Sequence, residues 1–259
     1  MKTCPICGEP LEAIMTEQSR KVYDAFKIFM DVEIGQTYPI SCRCAADKRE
    51  EERKKAEMDE RVSIMRKRGI ADAQTLHMRF ENDLGYNPAI CAKAKKYVAN
   101  FEKMSEGNIG IVFTGGVGTG KTFYAACIAN ALIDKGLLAV FTSFSRIIRT
   151  PFEDYEQMLK LLERAALVVF DDIGTERDSS FGLERAYDAV DARIKARKPI
   201  IVTTNFTPDE MSRAEDIKQK RIFDRIMGAC IIIPVNGKSI RMIEQNKKMD
   251  AAGKLLGGK

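Results

Sequence analysis

Gly115-Gly116-Val117-Gly118-Thr119-Gly120-Lys121-Thr122 follows the pattern GxxxxGK[ST]. A β-branched run at 109–114 leads into it and a helical pattern at 122–135 leads out. Strand, glycine loop and helix in that order form a phosphate cradle. Glycines let the backbone wrap closely, so that its N–H groups and the helix N-terminus face phosphate oxygens. Lys121 adds positive charge at the β- and γ-phosphates, and the Thr122 hydroxyl can ligate Mg²⁺. The expected contacts of a bound ATP or ADP are thus Gly115, Gly116, Val117, Gly118, Thr119, Gly120, Lys121, Thr122 and Phe123.

Around this loop the texture alternates. Further strand-like runs lie at 138–142, 167–170, 200–204 and 230–235, with helical patterns at 153–165, 182–197 and 208–227 between them. Leu183, Tyr187, Val190 and Ile194 form one apolar stripe, as a core-facing helix requires. Thr207-Pro208-Asp209-Glu210 is a helix start, with a capping hydroxyl, an early proline and acids against the dipole. Five strands interleaved with helices predict an α/β fold with a parallel five-stranded sheet flanked by helices on both faces.

Two of these strands end in chemistry. Leu167-Val168-Val169-Phe170 runs into Asp171 and Asp172. The first acid is placed to hold Mg²⁺ beside Thr122, the second to orient and deprotonate an attacking water. Pro199 through Thr204 ends at Asn205, whose amide can hydrogen-bond a γ-phosphate or the water; the alternative is a plain asparagine turn. Arginine is the expected stabiliser of charge at a γ-phosphate, and Arg221, Arg225 and Arg241 are the candidates.

The cysteines tell a separate story. The 259 residues include seven cysteines, one histidine (His77) and no tryptophan. A lone histidine argues against His-rich metal catalysis and against a Ser-His triad. Cys4-Pro5-Ile6-Cys7-Gly8 is a knuckle that turns two thiolates toward one ion, and Cys42-Arg43-Cys44 offers a second pair. Four thiolates suit tetrahedral Zn²⁺ in a closed structural site, which helps a module too small for much core. An iron–sulfur or redox role is the alternative. Cys91, Cys127 and Cys230 lie in apolar settings and read as packing residues.

No apolar run approaches the roughly 18–20 residues needed to cross a bilayer, so no membrane partner is expected. Met1-Lys2-Thr3-Cys4-Pro5 lacks the hydrophobic stretch of a signal peptide, and the expectation is a cytoplasmic protein. Residues 45–68 are almost solid charge of both signs at helical spacing, as in a solvated connecting helix. The expected organisation is a zinc-binding module at 1–46, a charged helix and linker at 47–106, an ATPase domain at 107–245 and a flexible basic tail at 246–259. The formal charge is +5, and residues 211–259, with eleven basic and five acidic side chains, account for all of the excess.

Taken in order, the GGVGTGKT loop, the LVVFDDIG segment, the TTN strand end, the RIFDRI segment and Gly237-Lys238-Ser239-Ile240-Arg241 resemble DnaC/DnaI-type helicase loaders. These share an AAA+ ATPase core with IstB-like transposition helpers. The resemblance covers about residues 107–241. It implies an Mg²⁺-dependent ATPase that self-associates through the AAA+ domain, binds single-stranded DNA and delivers a replicative DnaB-type ring helicase; assistance to DNA transposition is the alternative. By the same resemblance Asp171 is the magnesium-associated acid, Asp172 the catalytic carboxylate and Asn205 the sensor on the strand end. Arg225 is the finger projected into a neighbouring subunit, and Arg241 reports on the γ-phosphate. AAA+ proteins usually carry Glu where Asp172 stands, and the shorter acid suits a slow, regulatory ATPase. Some loaders also carry an N-terminal zinc domain that contacts the helicase. Family members contact single-stranded DNA just after the acidic strand, which points to Ser179 and Phe181, with Phe152 a weaker candidate.

Overall fold

The computed structural model describes residues 2–25, 31–70, 72–174 and 180–255, and divides into two compact units, Met1–Glu60 and Arg61–Lys259. In the first, strand β1 (Glu12–Ile14) pairs antiparallel with β2 (Thr37–Pro39), flanking helix α1 (Glu17–Ala25). Among the described residues its buried apolar side chains are few: Cys4, Met15, Tyr38 and Cys42. Helix α2 (Arg43–Gly69) starts in this unit and ends in the second.

The second unit begins with helical segments: α3 (Ala73–His77), a 3-10 turn (Phe80–Asn82), α4 (Pro88–Ala99) and α5 (Phe101–Glu106). Next come β3 (Gly110–Thr114), α6 (Lys121–Asp134), β4 (Ala139–Ser143), α7 (Phe144–Arg149), α8 (Phe152–Arg164) and β5 (Leu167–Ile173). The chain continues with α9 (Ser180–Lys195), β6 (Ile200–Thr204), α10 (Pro208–Ser212), α11 (Ile217–Ala229), β7 (Cys230–Pro234) and α12 (Ile240–Leu255).

The five strands of this unit form one parallel sheet, ordered β4-β5-β6-β3-β7. Side chains alternate across it, as the strand period demands. Ile111 and Phe113 join a core with α4, α5 and α6 on one face. Val112 joins Val168, Phe170, Ile200 and Val202 under α7, α8, α9 and α11 on the other. Strands covered on both faces need no polar alternation, which is why they read as continuous apolar runs.

Three expectations are corrected. Residues 73–106 are no linker: helices α3, α4 and α5 and a 3-10 turn cover most of them, and Ile90, Ala94, Tyr97 and Phe101 belong to the core. Their apolar positions are scattered among lysines, which hides the stripe. The helix expected over 208–227 is two helices, because Asp216 accepts from Gln219 N–H at 2.9 Å and caps a second start. Residues 246–255 are not a tail but the end of α12. No helix among the described residues is long and apolar enough to cross a membrane.

Candidate nucleotide site and cysteine cluster

The glycine loop lies between β3 and α6, with the first turn of α12 against it. A Cβ on Gly118 (φ +79°) would run into the Ser239 hydroxyl, and Ile240 N–H donates to Gly118 O at 2.9 Å. Asn87 Nδ2, just before α4, donates to Thr119 O at 3.0 Å from the other side. Lys121 is buried, and its Nζ donates to Gly115 O (2.7 Å), Gly116 O (2.8 Å) and Asn205 Oδ1 (2.8 Å). Burial pulls its pKa down, opposed by the charges of Asp172 and Asp171. The loop lysine and the strand-end amide, 84 residues apart, therefore meet.

The two acids stand at a register shift between β5 and β6. Such a bulge re-aims side chains, and Asp172 takes a left-handed φ of +57°, uncommon outside glycine and tolerated best by Asp and Asn. Thr203 holds both: its hydroxyl donates to Asp171 Oδ1 at 2.7 Å and accepts from Asp172 N–H at 2.8 Å. Burial raises the Asp171 carboxyl, opposed by hydrogen bonds from Thr203 and Thr122, so the hydroxyl and acid expected to share Mg²⁺ are neighbours.

Two cavities flank the loop. One, about 410 Å³, is polar and includes Thr122, Asp171, Asp172, Asn205 and Arg241 in its wall. The other, about 310 Å³, is walled by Met78, Leu84, Tyr86, Phe123, Tyr124 and Ile240, with Arg241 again present. A polar chamber for phosphates beside an apolar chamber for a base is the shape of a nucleotide site. Arg225 lines neither cavity: it pairs with Asp191 Oδ1 (2.6 Å) and donates to Tyr187 hydroxyl (2.6 Å), both on α9.

Several site residues carried no signal of their own. Met78, Leu84, Tyr86 and Asn87 come from the segment misread as linker, and no motif marks a base wall. Thr203 stands in the polar triplet Thr203-Thr204-Asn205, where the amide of Asn205 is the more obvious phosphate contact. Arg146, at the first turn of α7, lines the phosphate cavity and was missed. Of the expected DNA contacts, Phe152 and Phe181 are exposed, the latter with the Arg185 guanidinium 4.6 Å from its ring centre; Ser179 lies outside the described residues.

In the first unit the sulfurs of Cys4, Cys7, Cys42 and Cys44 all lie within 4.8 Å of one another. Cys4 and Cys42 are buried while Cys7 is exposed. Gly8 N–H donates to Cys4 O at 2.9 Å, closing the knuckle, and the Arg43 N–H donates to Glu9 Oε2 at 2.5 Å, tying the second pair to the first. Backbone N–H groups of Cys7 and Ile6 draw the Cys4 thiol down, while hydrogen bonds with Cys42 and Cys4 push the Cys44 thiol up, so within the cluster Cys4 is the favoured thiolate. Such a cluster can hold one tetrahedral ion.

The sheet order, the glycine loop and the acids at the bulge together define an AAA+ P-loop protein. The chain belongs to the family of IstB-like ATP binding proteins, whose model matches residues 50–248. It is similar to the replicative helicase loader DnaC of Escherichia coli K12, with 29% identity over 159 residues, 58% of this chain and 62% of that one. It is also similar to the replicative helicase loader DnaI of Bacillus subtilis 168, 26% identical over 56% of this chain and 51% of that one. The match thus spans between half and two thirds of these relatives' length. A crystal structure of DnaI superposes with a TM-score of 0.55 at 20% identity, covering 66% of this chain and 94% of that chain.

Proposed function

We propose that this protein is a slow, Mg²⁺-dependent ATPase that binds a replicative DnaB-type ring helicase and delivers it to single-stranded DNA in replication. The observation that carries the reading is one chain holding both a phosphate-and-base cavity pair and a four-cysteine module. The similarity to DnaC and DnaI supports it.

At the ATP site, the loop amides and Lys121 bind the phosphates, and the apolar cavity takes the base. Thr122 and Asp171 would hold Mg²⁺, which neutralises charge on the phosphates when bound. Asp172 orients the attacking water, its shorter reach keeping turnover slow; Asn205 fixes the water or γ-phosphate, and Arg241 senses that phosphate from within the subunit. Arg225 faces away from its own site and is the finger offered to a neighbouring copy, self-association through this domain completing the site. In the module, Cys4, Cys7, Cys42 and Cys44 would hold Zn²⁺, which supplies structure alone, and the module grips the helicase. Single-stranded DNA stacks on exposed aromatics, Phe181 and Phe152, with Ser179 nearby.

The test is to mix the full chain with the host's replicative helicase and measure complex formation with and without ATP and oligo-dT. A stable complex that transfers helicase to DNA only with ATP is expected. Capture of a transposase instead, with no helicase binding, would support the alternative reading of a transposition helper.

A further inference from the structure

The first turn of α12 lines both cavities: Ile240 and Arg241 wall the apolar one, and Arg241 the polar one as well. Tyr86, whose side chain walls the base cavity, donates from its hydroxyl to Glu244 Oε1 at 2.5 Å. Lys247 Nζ donates to the same hydroxyl at 2.7 Å, reaches Glu244 Oε1 at 3.1 Å and lies 5.3 Å from the centre of the Tyr86 ring. Glu244 and Lys247 are three apart on one helix face, and Arg241 stands one turn before them.

Helix α12 is pinned at its first residue by the bond from Ile240 N–H to Gly118 O. A helix held at one end alone can still swing and roll about that point. The Tyr86–Glu244–Lys247 cluster is a second attachment, and Arg241 lies between the two. We propose that Tyr86, Glu244 and Lys247 form a latch that positions Arg241 toward the γ-phosphate, and that the base seated against Tyr86 sets the latch. This rests on the ATP reading above. The three are positioning residues, not catalytic ones. The hydroxyl–carboxylate contact is charge-assisted and directional, whereas the lysine is exposed and weakly bound, so the latch can open.

The test uses the full-length protein and compares dissociation constants for ADP and a non-hydrolysable ATP analogue. Arg241→Ala should cut the preference for the triphosphate by about tenfold or more, the scale of one charged hydrogen bond. Tyr86→Phe keeps the ring, the fold and Arg241, yet should lose most of that preference; Lys247→Met should lose part of it. The double variant Tyr86→Phe/Arg241→Ala should be no worse than Arg241→Ala alone. Multiplying losses in the double variant, or full preference in Tyr86→Phe, would overturn the latch while leaving the ATP reading intact. A wild-type protein that binds both nucleotides equally would overturn the γ-phosphate role of Arg241 and the latch with it, whereas one that binds neither would overturn the reading of the phosphate cavity itself.

Discussion

The two units of this chain are held together by different physics. The second unit buries both faces of the sheet along β3, β4, β5 and β6, and residues such as Val112, Phe113, Val168 and Phe170 have no exposed surface. The cysteine module has a two-stranded ribbon and few buried side chains, two of which are the cysteines Cys4 and Cys42. A hairpin of that size is marginal in water on its own. Packing decides the sheet-bearing unit; on the reading proposed above, an ion held by four convergent sulfurs decides the cysteine module. Each should therefore fail to a perturbation that the other ignores.

Metal removal should have the largest effect. Structural zinc contributes about 10–16 kcal/mol of apparent binding free energy to small domains, far more than this ribbon can supply otherwise. Chelation, or Cys42→Ser, should therefore abolish amide-exchange protection in residues 2–25 and 31–44 while leaving ATP affinity unchanged. Protection that survives in fully metal-free protein would break the comparison. The converse experiment is Phe113→Ala, which deletes a ring with no exposed surface from the sheet. It should cost about 3–5 kcal/mol, lowering the thermal midpoint of the sheet-bearing unit without changing bound metal. Next comes Asp172→Asn, which touches chemistry rather than architecture. Turnover should fall by about 10²–10⁴, the range for a positioned general base, with ATP binding and melting temperature preserved. Retained turnover would remove Asp172 from the mechanism.

The same contrast explains what was legible in the sequence. Strands buried on both faces must be apolar throughout, and the edge strand β7 is apolar too although Ile231 and Ile232 are exposed, so all five could be marked within a residue or three. The glycine loop and the cysteine pairs are local patterns whose spacing is itself the chemistry. The base wall is different. Met78, Leu84, Tyr86 and Ile240 are ordinary apolar residues, brought together only because the 72–87 segment and the start of α12 meet over the loop. Thr203 likewise became meaningful only when the bulge between β5 and β6 set both acids against it. The break after Ser212 was written in Asp216, but the apolar period ran past it. Local chemistry is readable; convergence of distant, chemically plain residues is not.

Between metal and core stands a third case, the charged part of α2. Val62 and Gly69 are the buried residues of this 27-residue helix, both near its end, so the stretch before them has no packed face to hold it. What it has is helix-favouring composition and surface pairs: Arg53 with Glu50 at 2.8 Å and with Glu57 at 2.5 Å. The two pairs share one guanidinium with more than half its surface exposed, so they compete with water and with salt. Pairs of this kind contribute about 0.3–0.5 kcal/mol each along a helix. Arg53→Ala removes both but installs the best helix former, returning part of the loss. The net effect should stay below about 1 kcal/mol: a slight rise in amide exchange around residues 50–57, with metal content and ATP turnover unmoved. Collapse of either unit on this change would mean that the pairs hold more than the helix they decorate, and that the division into a metal-held and a core-held unit omits a third essential element.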